Sequence, residues 1–140
     1  MRFFNKRFGE LEIDDGEVLF CIGGLPGFEE FRRYALIEFE ESLPLVWFLS
    51  VENPEIGFVV VNPLLFYPDY APSLSPDDLS DLEIAHPEDV QLYTIITLSL
   101  DPQQVTINLY GPLIINVLNK RVKQVALNDD RYSTKHPIIR

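Results

Sequence analysis

The chain has 140 residues, enough for one hydrophobic core and too few for two. Its 46% hydrophobic content, with 10 Phe and 6 Tyr, excludes a disordered chain. The 22 Asp and Glu against 11 Lys and Arg leave a net charge of −11. That sign argues against direct binding to nucleic acid or to an anionic membrane, and favours a basic protein partner or plain solubility.

Helical periodicity is scarce. Short runs of β-branched and aromatic residues are bounded by Gly, Pro, Asn and Asp, which is the pattern of strands and turns. Phe3 to Ile13 reads as a partly alternating strand with a bulge at Gly9. Val18 to Ile22 is a short strand, and Tyr34 to Glu40 a strand with one wetter face. Val46–Val51 and Phe58–Val61 are nearly continuous apolar runs, as central strands require, and Asn53-Pro-Glu-Ile-Gly57 makes them a hairpin. Leu92–Leu100 and Val105–Tyr110 form a second hairpin, and Leu113–Leu118 with Val122–Leu127 a third.

One helix is predicted. Ser75 is an N-cap, Pro76 suits the first helical position, and Asp77 and Asp78 complement the dipole; it runs about two turns, to Ile84. A single turn is a further candidate at Phe28–Arg32. The fold class is therefore all-β with one or two short helices: a small antiparallel β-barrel-like or twisted-sandwich domain over residues 1–140.

The charge is unevenly spread. Tyr34 through Asn119 contains no Lys or Arg, yet holds acids from Glu38 to Asp101. A compact fold must then carry a strongly negative surface. The lone Cys21 excludes an internal disulfide and suits a reducing compartment, and no apolar run reaches the roughly 20 residues of a membrane helix. With no secretory leader at Met1–Arg7, the expected location is the cytoplasm.

Catalytic chemistry finds no foothold. His86 and His136 each precede a proline and mark turns or strand ends rather than a metal site. Cys21 has no basic neighbour to activate it. Gly23-Gly-Leu-Pro-Gly-Phe28 lacks the Gly-Lys-Ser/Thr of a phosphate loop, and the acids Glu29 and Glu30 follow it, so it reads as a tight turn. No catalytic, cofactor-binding or metal-binding residue is assigned, and no cofactor. A carboxylate hydrolase would need two acids converging in one pocket, and adjacent acids on a strand point to opposite faces. The segment Phe66-Tyr-Pro-Asp-Tyr-Ala-Pro72 is either a loop packed on the core or a protein-binding surface.

Several strings occur together in one order: Gly24-Leu-Pro-Gly-Phe-Glu29; Pro44, Leu49-Ser-Val51 and Phe58-Val-Val-Val-Asn-Pro63; Phe66-Tyr-Pro-Asp-Tyr70; Val105-Thr-Ile-Asn-Leu109 with Pro112-Leu-Ile-Ile-Asn116; and Lys123-Gln-Val-Ala-Leu127 before Tyr132 and His136-Pro137. From end to end they resemble the FliW family of bacterial flagellar assembly factors. Two stretches depart from it: Cys21-Ile-Gly23, where Phe-Pro-Glu is frequent, and Val122, where a small residue is common.

The resemblance implies a binding protein and not an enzyme. It implies a compact barrel-like fold and two partners, flagellin, which is kept soluble before export, and CsrA, a basic RNA-binding translational repressor released from its task when the factor captures it. The chain is expected to act as a monomer. The candidate partner-binding residues are exposed groups in or beside matched strings: Glu52 and Glu55, then Tyr67, Asp69 and Tyr70, then Glu88 and Asp89. Flagellin is placed on an apolar patch near Phe66, Tyr67 and Tyr70. Asn108, Pro112 and Gln124 are either contacts or turn-holding residues. The rival reading is a generic acidic β-barrel interaction module with an unrelated partner.

Overall fold

A computed structural model describes residues 1–138. Seven strands close into a barrel: β3 (Leu19–Cys21), β4 (Arg33–Ile37), β5 (Val46–Ser50), β6 (Gly57–Val61), β7 (Val90–Thr97), β9 (Leu113–Asn116) and β10 (Arg121–Gln124). Neighbours are antiparallel except β3 and β10, whose parallel pairing closes the ring through Phe20 N–H to Lys120 O (2.9 Å) and Ile22 N–H to Val122 O (2.8 Å). The three predicted hairpins form, with Val46 opposite Val60, Thr97 opposite Thr106 and Val122 opposite Ile115.

β7 is long enough to serve two partners on one edge. Its first half pairs with β9, and Ile96–Thr97 pair with β8 (Thr106–Ile107), which in turn pairs with β11 (His136–Pro137). The predicted strand over Val105–Tyr110 is therefore only two residues long. Beyond it the Leu109 and Tyr110 amides both turn to Ser133 O, and Asn108 Oδ1 accepts the Gly111 amide at 2.8 Å.

Inside the barrel Leu19, Cys21, Tyr34, Val46, Phe48, Val60, Leu113, Ile115 and Val122 interdigitate, with Tyr34 stacked on Phe48 at 4.4 Å between centroids. Burial pushes the Cys21 thiol up to about 11, so it is inert packing. The outer faces are covered by three caps. A hairpin of β1 (Arg2–Asn5) and β2 (Gly9–Glu12) lays Phe3 and Phe8 over Ala35, Leu49 and Trp47. The 66–70 segment covers Val61, Ile96 and Ile107. The helix α1 (Pro76–Asp81) and its following turn set Leu82 against Ile114 and Val125. This double coverage is why β5 is apolar on both faces.

The N-terminal segment differs from expectation: it is a hairpin, not one bulged strand. Asn5 Oδ1 accepts the amides of Arg7 (2.9 Å) and Phe8 (3.0 Å), which folds the chain back, and Gly9 leaves the turn at φ +77°. The Phe28–Arg32 stretch makes its single turn, Phe31 N–H to Phe28 O at 3.0 Å, which does not extend into a helix; just before it Phe28 N–H returns to Leu25 O at 2.8 Å in a second tight turn. Gly24 (φ +69°) is required there, since a Cβ would stand 2.5 Å from Glu29 Cα.

The helix forms as read, with a capping box between Ser75 and Asp78, and is one turn shorter because a Schellman arrangement ends it: Ile84 N–H to Leu79 O and Glu83 N–H to Ser80 O, with Glu83 at φ 54°. Lys123 Nζ ties it to β10, 2.8 Å from both Asp78 Oδ1 and Asp81 Oδ2.

Two predictions arise from the fold. The Tyr34 hydroxyl is buried with no hydrogen-bond partner among the described residues. Tyr34→Phe should keep the stacking and remove the orphan, raising stability by about 1 kcal/mol, read as a higher urea midpoint at unchanged m. A midpoint that falls would show the hydroxyl to be satisfied.

The second concerns pH. Burial pushes the Asp78 carboxyl up, but hydrogen bonds from Lys123 and Ser75 and the Lys123 charge outweigh it, and the net value lies below the usual 3.8. Glu52 lies below 4.5 because the Arg33 amide donates to it, against a smaller burial cost, with the Arg32 amide and the Arg33 charge adding to the lowering. Both contributions are complete above the unfolded-chain values near 4 and are lost as pH falls through the lower folded values. Lys123 is raised by its hydrogen bonds to Asp78 and Asp81, so its share is complete below 10.5 and is lost as pH rises through the folded value. Stability should thus be level near neutrality and fall in acid, and Asp78→Asn with Glu52→Gln should flatten the acid limb of a melting-temperature profile.

Candidate functional site: the acidic end of the barrel

Strand polarity sorts the loops into two ends. β4, β6 and β9 finish where β3, β5, β7 and β10 begin. That end gathers Glu17 before β3, Glu38, Glu40 and Glu41 after β4, and Glu88 and Asp89 before β7. Val117 N–H donates to Asp89 O at 2.9 Å, which fixes the β9–β10 turn beside the Glu88–Asp89 turn. Glu17, Glu38, Gln91 and Lys120 line the mouth over Leu19, Leu36 and Ile115, a recess of about 400 Å³. Lys120 reaches Glu17 at 3.4 Å; among the described residues Glu38, Glu40, Glu41, Glu88 and Asp89 have no cation partner. The Glu38 charge adds to burial in raising the Tyr93 phenol.

Exposed apolar side chains sit among these acids. Leu43 follows β4, Leu64 and Leu65 follow β6, and Leu118 tips the β9–β10 turn; Leu65 is 61% and Leu118 73% exposed. Large leucines in water beside unpaired carboxylates are the make-up of a protein-docking surface. Among the described residues no three His, Cys, Asp or Glu side chains gather as a metal site. Among the described residues no helix is long and apolar enough to cross a membrane.

The family model described as "FliW protein" matches residues 2–138. The chain belongs to the FliW family. A flagellar assembly factor FliW from Syntrophus aciditrophicus is 37% identical over 140 residues, covering 100% of this chain and 89% of that one. The one from Clostridium beijerinckii is 37% identical over 139 residues, 99% of each chain. A crystal structure of the flagellar assembly factor FliW superposes with a TM-score of 0.90 at 33% identity, over 100% of this chain and 98% of that one. FliW proteins are assembly factors and not enzymes. Their fold here is the mixed seven-stranded barrel with added strands and one short helix.

The FliW barrel disperses the seven candidate contact residues. Only Glu88 and Asp89 stand at the acidic end. Glu52 lies at the opposite end, where its Oε1 accepts the amides of Arg32 (2.8 Å) and Arg33 (2.9 Å) and so anchors the start of β4. Glu55 sits in the β5–β6 turn, 3.4 Å from Lys6. Asp69 is exposed on the flank.

Tyr70 departs from the expectation of an exposed contact. It is 6% exposed, donates to Leu109 O at 2.6 Å and packs edge-on against Tyr132. Burial, with a smaller push from Tyr132, raises its phenol. Tyr67 is half-buried, donates to the Pro137 carbonyl and meets the His136 ring at 5.0 Å. The aromatic segment is thus a packed flap that holds β11 and Leu109. Its backbone closes local turns, Tyr67 N–H to Pro63 O at 2.9 Å and Tyr70 N–H to Tyr67 O at 3.0 Å, and its two phenols turn inward, where their rings pack and their hydroxyls find the Pro137 and Leu109 carbonyls.

Asn108 and Gln124 both bind Gly111, through its N–H (2.8 Å) and its carbonyl (3.0 Å), and Pro112 O accepts the Val125 amide. They hold the entry to β9. Sequence reasoning missed Glu17, Glu38, Glu40 and Glu41 as one set. The signal was there in the alternation of strand direction: acids stand before β3, between β4 and β5, and before β7, all at the same end.

Proposed function

We propose that this flagellar assembly factor acts in the cytoplasm as a one-domain monomer that binds newly made flagellin and, in competition with it, the RNA-binding repressor CsrA. Export of flagellin would free the factor, which would then capture CsrA and relieve repression of flagellin synthesis. Family membership supports the assembly role. The observation that carries the partner reading is the unneutralised acidic end, Glu38, Glu40, Glu41, Glu88 and Asp89, in a chain of net charge −11. A protein that grips RNA must present Lys and Arg to phosphates. An acidic end attracts that surface and repels the RNA bound to it.

The contact set shifts accordingly. Glu88 and Asp89 stay in it, joined by Glu38, Glu40 and Glu41; Glu55, Asp69 and Tyr67 lie outside this end, and Glu52 and Tyr70 serve the fold. Flagellin would rest on the exposed Leu43, Leu64, Leu65 and Leu118 of the same end rather than on the inward-facing aromatic flap. Overlap of the two footprints then explains competition without any shape change.

The test is isothermal titration of the protein into CsrA from the same organism, with and without flagellin bound first. Binding should vanish with flagellin present. It should also weaken at least tenfold between about 50 mM and about 500 mM salt, as screening shortens the Debye length from about 14 Å to about 4 Å. Salt-independent binding would remove the electrostatic account. No binding to either protein would leave an acidic module with another partner.

A further inference from the structure

A second cleft lies on the outer face of β5, away from the barrel mouth. The β1–β2 turn and the β5–β6 turn form its walls, joined by Lys6 N–H to Pro54 O at 2.8 Å and by the Lys6–Glu55 pair. It encloses about 430 Å³. Trp47, Leu49, Phe8 and Pro54 make an apolar lining, with Lys6, Arg7 and Glu55 as its charges.

Arg7 is anomalous in this cleft. Its guanidinium lies 4.9 Å from the Trp47 ring centroid and 5.8 Å from that of Phe8. Acids outnumber bases two to one in this chain, yet among the described residues only Arg7 and Lys135 present a Lys or Arg head group with no carboxylate or carbonyl partner. The guanidinium is held over an aromatic platform with its fork of donors unspent, the state in which Arg binds carboxylates bidentately. The Trp47 ring itself is half-buried, with its Nε1 turned away from solvent and without an acceptor among the described residues.

We propose that this cleft is a docking site for an acidic peptide segment of a protein partner, with a carboxylate on the Arg7 fork and an adjacent apolar side chain against Trp47 and Phe8. Charge complementarity selects the occupant. The cations stand out on a negative molecule, so a polyanion such as nucleic acid is repelled by the rest of the surface, whereas a short acidic segment meets only the local field. Lys6 supplies a second cation once Glu55 releases it; an exposed pair of this kind is weak and exchanges readily. The site is independent of the acidic end: it takes carboxylates, and the other takes cations.

Trp47 is the only tryptophan, so its emission reports on the cleft. The full chain would be titrated with acetyl-Glu-Leu-Asp-Phe-Glu-amide and with its neutral isostere acetyl-Gln-Leu-Asn-Phe-Gln-amide. The acidic peptide should change Trp47 emission saturably and bind at least tenfold tighter than the isostere. Arg7→Gln should cost the acidic peptide about tenfold at an unchanged melting temperature, and Glu55→Gln should tighten it by freeing Lys6. CsrA binding should be untouched by Arg7→Gln, which keeps this site and the proposed function separable. Equal binding of the two peptides, no response to either, an effect of Arg7→Gln no larger than twofold, or preference for a short oligothymidylate would overturn the proposal.

Discussion

Reversing Glu38, Glu88 and Asp89 to Lys should weaken CsrA binding about a hundredfold while leaving the melting temperature within a degree or two. These three carboxylates lie at one end of the barrel, and none has a cation partner among the described residues. Each reversal removes an attraction and installs a repulsion, together about 1 kcal/mol at a hydrated interface, and a hundredfold corresponds to about 2.7 kcal/mol. The fold should not suffer, because like charges are being relieved and no buried group is touched. A companion variant separates local field from total charge: Glu29, Glu30 and Asp130, all exposed and elsewhere, reversed to Lys. It changes net charge equally and should cost only a few-fold, mostly in association rate. If both variants lose affinity alike, the acidic end is not the contact surface and only the overall charge matters.

Among the polar side chains a large loss of stability is expected at Asn116. It is 2% exposed at the end of β9. Its Nδ2 donates to Leu82 O at 2.9 Å and to Glu83 O at 3.2 Å, and its Oδ1 accepts the Leu118 amide at 2.9 Å. One amide therefore satisfies the carbonyls left open where α1 ends and also shapes the β9–β10 turn, which carries Leu118. Asn116→Ala deletes three hydrogen bonds and strands buried acceptors, a loss of about 3 kcal/mol, or roughly 10 °C in melting temperature for a domain of this size. Asn119, whose Nδ2 also reaches Leu82 O at 3.0 Å, limits the damage. Asn116→Asp tests the polarity directly. It sets a carboxylate against two carbonyl oxygens, so it should be at least as destabilising at neutral pH and should regain stability in acid as the group protonates. An Asp variant as stable as the parent would mean that the amide nitrogen is not the working end.

The two results are linked by geometry. The β9–β10 turn and the Glu88–Asp89 turn are joined by Val117 N–H to Asp89 O, so loosening Asn116 should also blunt CsrA binding. A stability loss with unaltered binding would show that the two acids are held from the β7 side alone.

Local chemistry was legible in the chain itself. The Ser75–Asp78 capping box, the 53–57 turn, the glycine turn at 23–28 and the apolar runs of β5 and β6 each rest on contacts a few residues apart, so composition and spacing suffice to read them. Family membership was legible for a related reason: strings such as Phe58–Pro63 and Pro112–Asn116 encode turns and barrel faces in a fixed order. The excess of acid between Tyr34 and Asn119 was visible too, and with it the kind of partner to expect.

What tertiary structure alone decided is which of those acids stand together. The parallel closure of β3 on β10 joins residues about a hundred positions apart, and no local pattern announces it. Only when the ring closes do Glu17, Glu38 and Glu88 share one end while Glu52 turns to two backbone amides at the other. Tyr70 shows the same limit: its sequence neighbours suggest exposure, and Leu109 O, distant in the chain, draws it inward. Side-chain alternation along a strand is a local property, whereas the end of a barrel is defined by the direction of every strand at once.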